Sequence, residues 1–157
     1  MIRDCIDAYK ELMETVTGIG TVIPFMRITP DIGQTKTVFG DADSNSINVV
    51  LVNYSKVSKF EDEATDAIYS PITLQVKVLQ SFVDSADYSG STQETFDTLL
   101  DALATEFQSQ QDYVSGGELY NVSGVKEFNL IGESGVADFL GKPCHAVEWE
   151  QEIYLYE

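Results

Sequence analysis

Apolar residues recur at three- and four-residue steps over residues 2–17. Ile2, Cys5, Ile6, Tyr9, Leu12, Met13 and Val16 fall on one stripe, while Asp4, Asp7, Lys10, Glu11 and Glu14 fall elsewhere. This spacing predicts an amphipathic helix that stops near Gly18 and Gly20. Residues 21–28 read as extended, and Pro24, which has no backbone donor, confines them to an edge strand or an approach segment. A turn is expected at Pro30–Gly33. Residues 47–54 carry apolar side chains on both faces and are predicted to be a central strand. Over residues 72–83, Ile72, Leu74, Val76, Val78 and Phe82 alternate with Thr73, Gln75, Lys77 and Ser81. A half-buried antiparallel strand has this period of two.

A second helix is predicted at about 92–110. Ser91 and Glu94 have the spacing of a capping box, Phe96, Leu99, Leu100, Leu103 and Phe107 form the apolar face, and Gly116–Gly117 marks the exit. Residues 120–131 read as an irregular strand, and residues 132–143 as a glycine-containing connection. Residues 144–156 form the last strand. His145, Val147, Trp149, Ile153 and Leu155 lie on one face of it, and Glu148, Glu150, Glu152, Tyr154 and Tyr156 on the other. The order of elements predicts an α+β fold: a mainly antiparallel sheet with the N-terminal helix and the second helix packed on one face. A chain of 157 residues with no long linker and no internal repeat is expected to be one domain over 1–157.

Composition adds three limits. Apolar residues make up 43% of the chain, enough for a packed core and too many for a disordered chain. No apolar run approaches the ~18 residues that span a bilayer. The start, Met1 to Asp4, lacks the basic-then-apolar run of a secretory signal. The expectation is a soluble protein used in a cytoplasm, with Cys5 and Cys144 as buried free thiols.

Charge changes the picture most. The chain has 26 Asp and Glu against 9 Lys and Arg, a net charge of −17. Its scattered cations form no basic cluster, so its field repels nucleic acid and anionic membranes. The carboxylates are spread through the chain, and two groups of them are candidate surfaces. An acidic segment holds Glu61, Asp62, Glu63 and Asp66 in a long connection between strands. Glu148, Glu150 and Glu152 share one face of the last strand, where like charges repel and favour water, a basic partner or a lumen. Tyr154 and Tyr156 continue that face with side chains suited to an interface.

The chain offers little recognisable chemistry. Adjacent on a strand, Cys144 and His145 point to opposite faces and cannot form a nucleophilic pair. One histidine and two distant cysteines make no zinc signature. Asp41 to Ser46 begins like a calcium loop, but Ser46 and Val52 stand where the loop needs Gly and Glu, so a turn is expected. No phosphate loop, nucleophile elbow or dinucleotide fingerprint is present. The reading is non-enzymatic, with no cofactor and no metal.

The helix at the N-terminus, the strand Ile72–Phe82, the helix Ser91–Gln108 and the closing strand Cys144–Tyr156 follow one another in an order and length that resemble the tail terminator, or tail completion, proteins of long-tailed bacteriophages. The resemblance is one of layout over most of the chain and rests on no diagnostic motif. It implies a structural virion protein that forms a ring, typically a hexamer, at the head-proximal end of the tail tube. Such a ring stops tube polymerisation and joins the neck or head-completion protein, with a channel through which DNA passes without specific binding. It also implies assembly in the host cytoplasm, residence in the virion tail and no membrane. The two acidic groups are then the candidate lumen or docking surfaces. A head-closure or tube subunit is a close neighbour of this reading. Two readings of other classes remain: an acidic DNA mimic or other protein-binding module, and a small carboxylate enzyme with a concave pocket.

Overall fold

The computed structural model describes residues 2–24, 47–58, 60–62, 67–81, 91–132, 135–139 and 142–156. Its first element, α1 (Ile2–Glu14), buries Cys5, Ile6, Ala8, Tyr9, Leu12 and Met13, the apolar stripe of the sequence. The helix ends three residues short of the predicted 17. There the chain tightens, with Thr15 N–H donating to the Leu12 carbonyl (3.1 Å) and Val16 N–H to that of Met13 (3.0 Å). Bonds to the third residue back replace those to the fourth, and the tightened turn unwinds the helix. Val16 remains buried beyond it.

The strands are β1 (Thr21–Pro24), β2 (Asn48–Val57), β3 (Phe60–Asp62), β4 (Ala67–Tyr69) and β5 (Ile72–Ser81). After α2 (Ser91–Glu106) come β6 (Gln111–Ser115), β7 (Glu118–Val122), β8 (Asn129–Leu130), β9 (Val136–Phe139) and β10 (Lys142–Leu155). Among the described residues, eight strands join in one sheet with the path β1-β2-β5-β10-β7-β6, and β8 and β9 pair with β10 off that path. The fold is α+β, as expected, but the sheet is mixed. β1 runs parallel to β2, pairing Thr21 with Val49 and Pro24 with Val52, while the remaining ladders are antiparallel. Pro24 ends a strand at one end of the sheet path, where its missing donor costs no ladder bond.

β10 holds the sheet together. One of its edges bonds β5 over ten pairs, Cys144–Ser81 to Ile153–Ile72. Its other edge bonds β9, then β8, then β7. One face of the sheet carries both helices: Tyr9, Leu12 and Met13 of α1 and Phe96, Leu99 and Leu103 of α2 pack on Val50, Val52, Leu74, Val76, Val147, Trp149 and Ile153. A smaller apolar cluster lies on the opposite face, where Val49, Leu51, Leu79, Phe139, Cys144 and Ala146 pack together. β2 is apolar on both faces because it contributes to both clusters.

Several connections differ from the sequence expectation. Gly116 and Gly117 do not mark the exit of α2. Both have positive φ, +59° and +81°, and they form the two-residue tip of the β6–β7 hairpin, in which Ser115 pairs with Glu118. Tight hairpins need this conformation at both central positions, and glycine adopts it without steric cost. α2 ends at Glu106 rather than near 110, where Gln111 Nε2 donates to the Glu106 carbonyl (2.9 Å) and β6 begins. The stretch 132–143 is not a plain connection, because it contains β9. Residues 120–131 divide into β7, an irregular segment and the two-residue β8. The expected turns at Pro30–Gly33 and Asp41–Ser46 lie outside the described residues, as does Phe82.

Outside the main sheet, β3 and β4 pair only with each other among the described residues, Phe60 with Tyr69 and Asp62 with Ala67. They continue the β2–β5 hairpin past its last pair, Val57–Ile72, through a bond from Ser58 N–H to the Pro71 carbonyl (2.8 Å). β3, which carries Glu61 and Asp62, and β4 therefore form a two-stranded arm.

At Gly20, an added Cβ would stand 2.1 Å from the Asn48 carbonyl oxygen, whereas at Gly117 it would meet nothing within 4 Å. Gly117→Ala should cost about 1–2 kcal/mol, the strain of a left-handed residue. Gly20→Ala should cost more, because backbone must move. Urea unfolding of both variants checks the order, and a smaller loss for Gly20→Ala would contradict the close approach of β1 to β2.

Candidate functional site

Alternation along β10 creates two rows of side chains. The inner row is His145, Val147, Trp149, Gln151 and Ile153, all buried. The outer row begins with Cys144 and Ala146 in the smaller apolar cluster. It continues with Glu148, Glu150 and Glu152, all exposed, and ends at Tyr154. Tyr156 follows, its N–H donating to the Leu119 carbonyl (2.9 Å). The outer face thus passes from apolar to acidic to aromatic.

The acidic part borders a shallow trough of about 410 Å³. Thr73 and Gln75 of β5 form one side, opposite Glu152 and Glu150 in register. Ser123, Gly124, Lys126, Glu127 and Asn129 form the other. Lys77 stands across from Glu148, with Nζ 3.9 Å from Oε2 and both side chains about half exposed. In that setting the pair adds little stability.

Beneath the trough lies a buried hydrogen-bond network. Tyr9 Oη donates to Gln151 Oε1 (2.5 Å), Trp149 Nε1 donates to the same oxygen (2.7 Å), and Gln151 Nε2 donates to the Ser123 carbonyl (2.8 Å). Ser123 is also tied to the backbone of Glu152: its N–H donates to the Glu152 carbonyl, and its Oγ accepts from the Glu152 N–H, both at 2.9 Å. One glutamine therefore joins α1, β10 and the far wall of the trough. Burial drives the Tyr9 phenol well above its ordinary pKa, so it stays protonated as the donor this network needs.

Sequence reasoning passed over Gln151. The available signal was its place in the apolar row between Trp149 and Ile153: a polar side chain at a core-facing position must find partners inside. Among the described residues, every buried polar side-chain atom has one.

A second network closes the aromatic end. Buried Asn121 accepts from Gln110 Nε2 (2.7 Å) and donates through Nδ2 to Asp112 Oδ1 (2.9 Å) and Tyr156 Oη (3.3 Å). Tyr156 Oη donates to Asp112 Oδ1 (3.1 Å), and the Tyr154 ring meets the Tyr156 ring edge-on at 5.2 Å. Hydrogen bonding with Tyr154, partial burial and the Asp112 carboxylate push the Tyr156 phenol up to about 12.

The other sequence candidates are dispersed. Glu61 and Asp62 lie in β3 on the arm, apart from the β10 row, and Glu63 and Asp66 lie outside the described residues. The arm leaves the sheet at the Glu152 end of the row, since Glu152 pairs with Thr73 one residue after Ile72. Cys144 and His145 occupy opposite faces: Cys144 packs in the smaller cluster, and His145 stacks on Phe96 of α2 at 5.2 Å. Burial holds the His145 pKa below its ordinary value, against the opposing pull of Asp97. Burial also pushes the Cys5 thiol up to about 11, and both cysteines are buried thiols. Among the described residues, no cluster of three His, Cys, Asp or Glu is placed to hold a metal ion, and no helix is long and apolar enough to cross a membrane. No family model matches the chain, and no curated protein matches it in sequence.

Gln151→Leu removes the acceptor of both Tyr9 and Trp149 and should destabilise the fold by about 2–4 kcal/mol. Tyr9→Phe removes one donor and leaves the acceptor with Trp149, so about 1 kcal/mol is expected. Denaturant unfolding compares the two, and equal losses would show that Gln151 is not the hub.

Proposed function

We propose that the chain is a non-enzymatic structural protein that closes into a ring, the tail terminator of a long-tailed bacteriophage. In this reading it sits at the head-proximal end of the tail tube and joins the neck. The observation that carries the proposal is the outer row of β10, which supports it in three ways. Glu148, Glu150 and Glu152 project from a stretch of β10 that pairs with β5 at every residue, so their spacing is fixed by the sheet. They are exposed, in a chain whose net charge is −17. Repeated around an axis, such a row presents carboxylates that DNA passes without adhering. The order of elements agrees with the layout on which the resemblance rests, and the β3–β4 arm is a further means of reaching a neighbouring subunit.

A ring formed from one chain uses a heterologous interface, in which two different patches of the same surface meet. A hexamer is the state this reading expects. Light scattering across a range of protein and salt concentrations tests it. The expected result is one discrete species of six times the 17.4 kDa chain mass. A strict monomer under all conditions would count against the ring and favour an acidic module that binds a basic protein.

A further inference from the structure

The aromatic end of the outer face adjoins exposed apolar side chains of the β6–β7 hairpin. Val114 and Leu119 face each other across the β6–β7 hairpin and are 64% and 39% exposed. Asp112 and Asn121 hold Tyr156 over the same face, because alternation puts Asp112 with Val114 and Asn121 with Leu119. Val114, Leu119, Tyr154 and Tyr156 therefore make one apolar and aromatic surface. Clustered exposed apolar groups with tyrosines and a polar rim are the usual composition of a protein interface.

Charge selects the occupant. The patch is bordered by Asp112 and by Glu152, beyond which Glu150 and Glu148 continue along the trough. Lys77 is engaged with Glu148 at the far end of the row, and Lys126 lines the trough against Glu127, Glu148, Glu150 and Glu152, so carboxylates remain in excess. Nucleic acid would be repelled, and a second copy has no two Lys or Arg at alternate positions in its sequence to match the row. Successive residues on one face of a strand are about 7 Å apart. A segment in extended conformation repeats its own side chains at that interval and so matches the carboxylate row.

We propose that this face docks an extended, lysine- or arginine-bearing segment of another protein. Its basic side chains lie at alternate positions over Glu150 and Glu152, and its apolar side chains lie on Val114, Leu119 and Tyr154. The proposal rests on the face alone and holds whether or not the chain forms a ring.

The test uses the full chain and a labelled synthetic peptide with lysine at alternate positions followed by two leucines, read by fluorescence anisotropy at 0.15 M salt. Three double variants are compared after unfolding measurements confirm that they fold. Glu150→Gln with Glu152→Gln alters the row, and Val114→Ser with Tyr154→Ser alters the patch. Glu94→Gln with Asp101→Asn removes the same charge from exposed positions on α2, on the other side of the sheet. The first two should each weaken binding about tenfold or more, and the third should change it little. Equal weakening by the α2 variant would reduce the effect to general charge attraction and overturn the proposal. No peptide binding to the wild-type chain would also overturn it, as would undiminished binding to the patch variant. Self-association that the patch variant abolishes, without peptide binding, would reassign the face to a second copy.

Discussion

β10 is bonded along both edges, to β5 on one side and to β9, β8 and β7 in turn on the other, so each of its side chains is committed to one face of the sheet. A shift of one residue in its register would bury Glu148, Glu150 and Glu152 and expose Val147, Trp149 and Ile153. Ten pairs with β5 make that shift prohibitively costly. The same ladder therefore positions the core, the trough and the tyrosine patch.

The polar network around Gln151 works with that register. Hydrophobic packing alone holds α1 against the sheet without strongly fixing its position. The bonds from Tyr9 and Trp149 to one oxygen define where the helix sits, because a displaced helix would leave buried donors unsatisfied. The other end of the glutamine fixes Ser123, and Ser123 fixes the backbone of Glu152. The order of the acidic face thus derives partly from the interior beneath it.

What was legible in the sequence follows from this arrangement. α1, α2, β2, β5 and β10 each carry enough apolar residues at one period to declare themselves, and β10 also declared its acidic row. β6 did not, because Gln111–Ser115 is short and only Tyr113 of its inward side chains reaches the core. The role of Gly116–Gly117 could not be recognised without β6. The parallel pairing of β1 depends on a partner 28 residues away, which local pattern does not encode. β9 and β8 are short and held by β10 rather than by any strong preference of their own. Gln151 is not legible from periodicity, because a polar residue adds no hydrophobic signal to the row even though it is the row's hydrogen-bonding centre.

The proposed ring and the proposed docking face draw on one rigid surface: a carboxylate row that repels DNA where it is bare and takes the basic side chains of a docked segment where it is covered, with the aromatic patch beside it receiving that segment's apolar side chains. Electron cryomicroscopy of the purified assembly tests the central claim most directly. The account predicts a rotationally symmetric particle with an axial channel and the Glu148–Glu150–Glu152 row of each copy turned toward the channel or an axial docking end. A particle without rotational symmetry, or a ring with that row on its outer wall away from both, would contradict it.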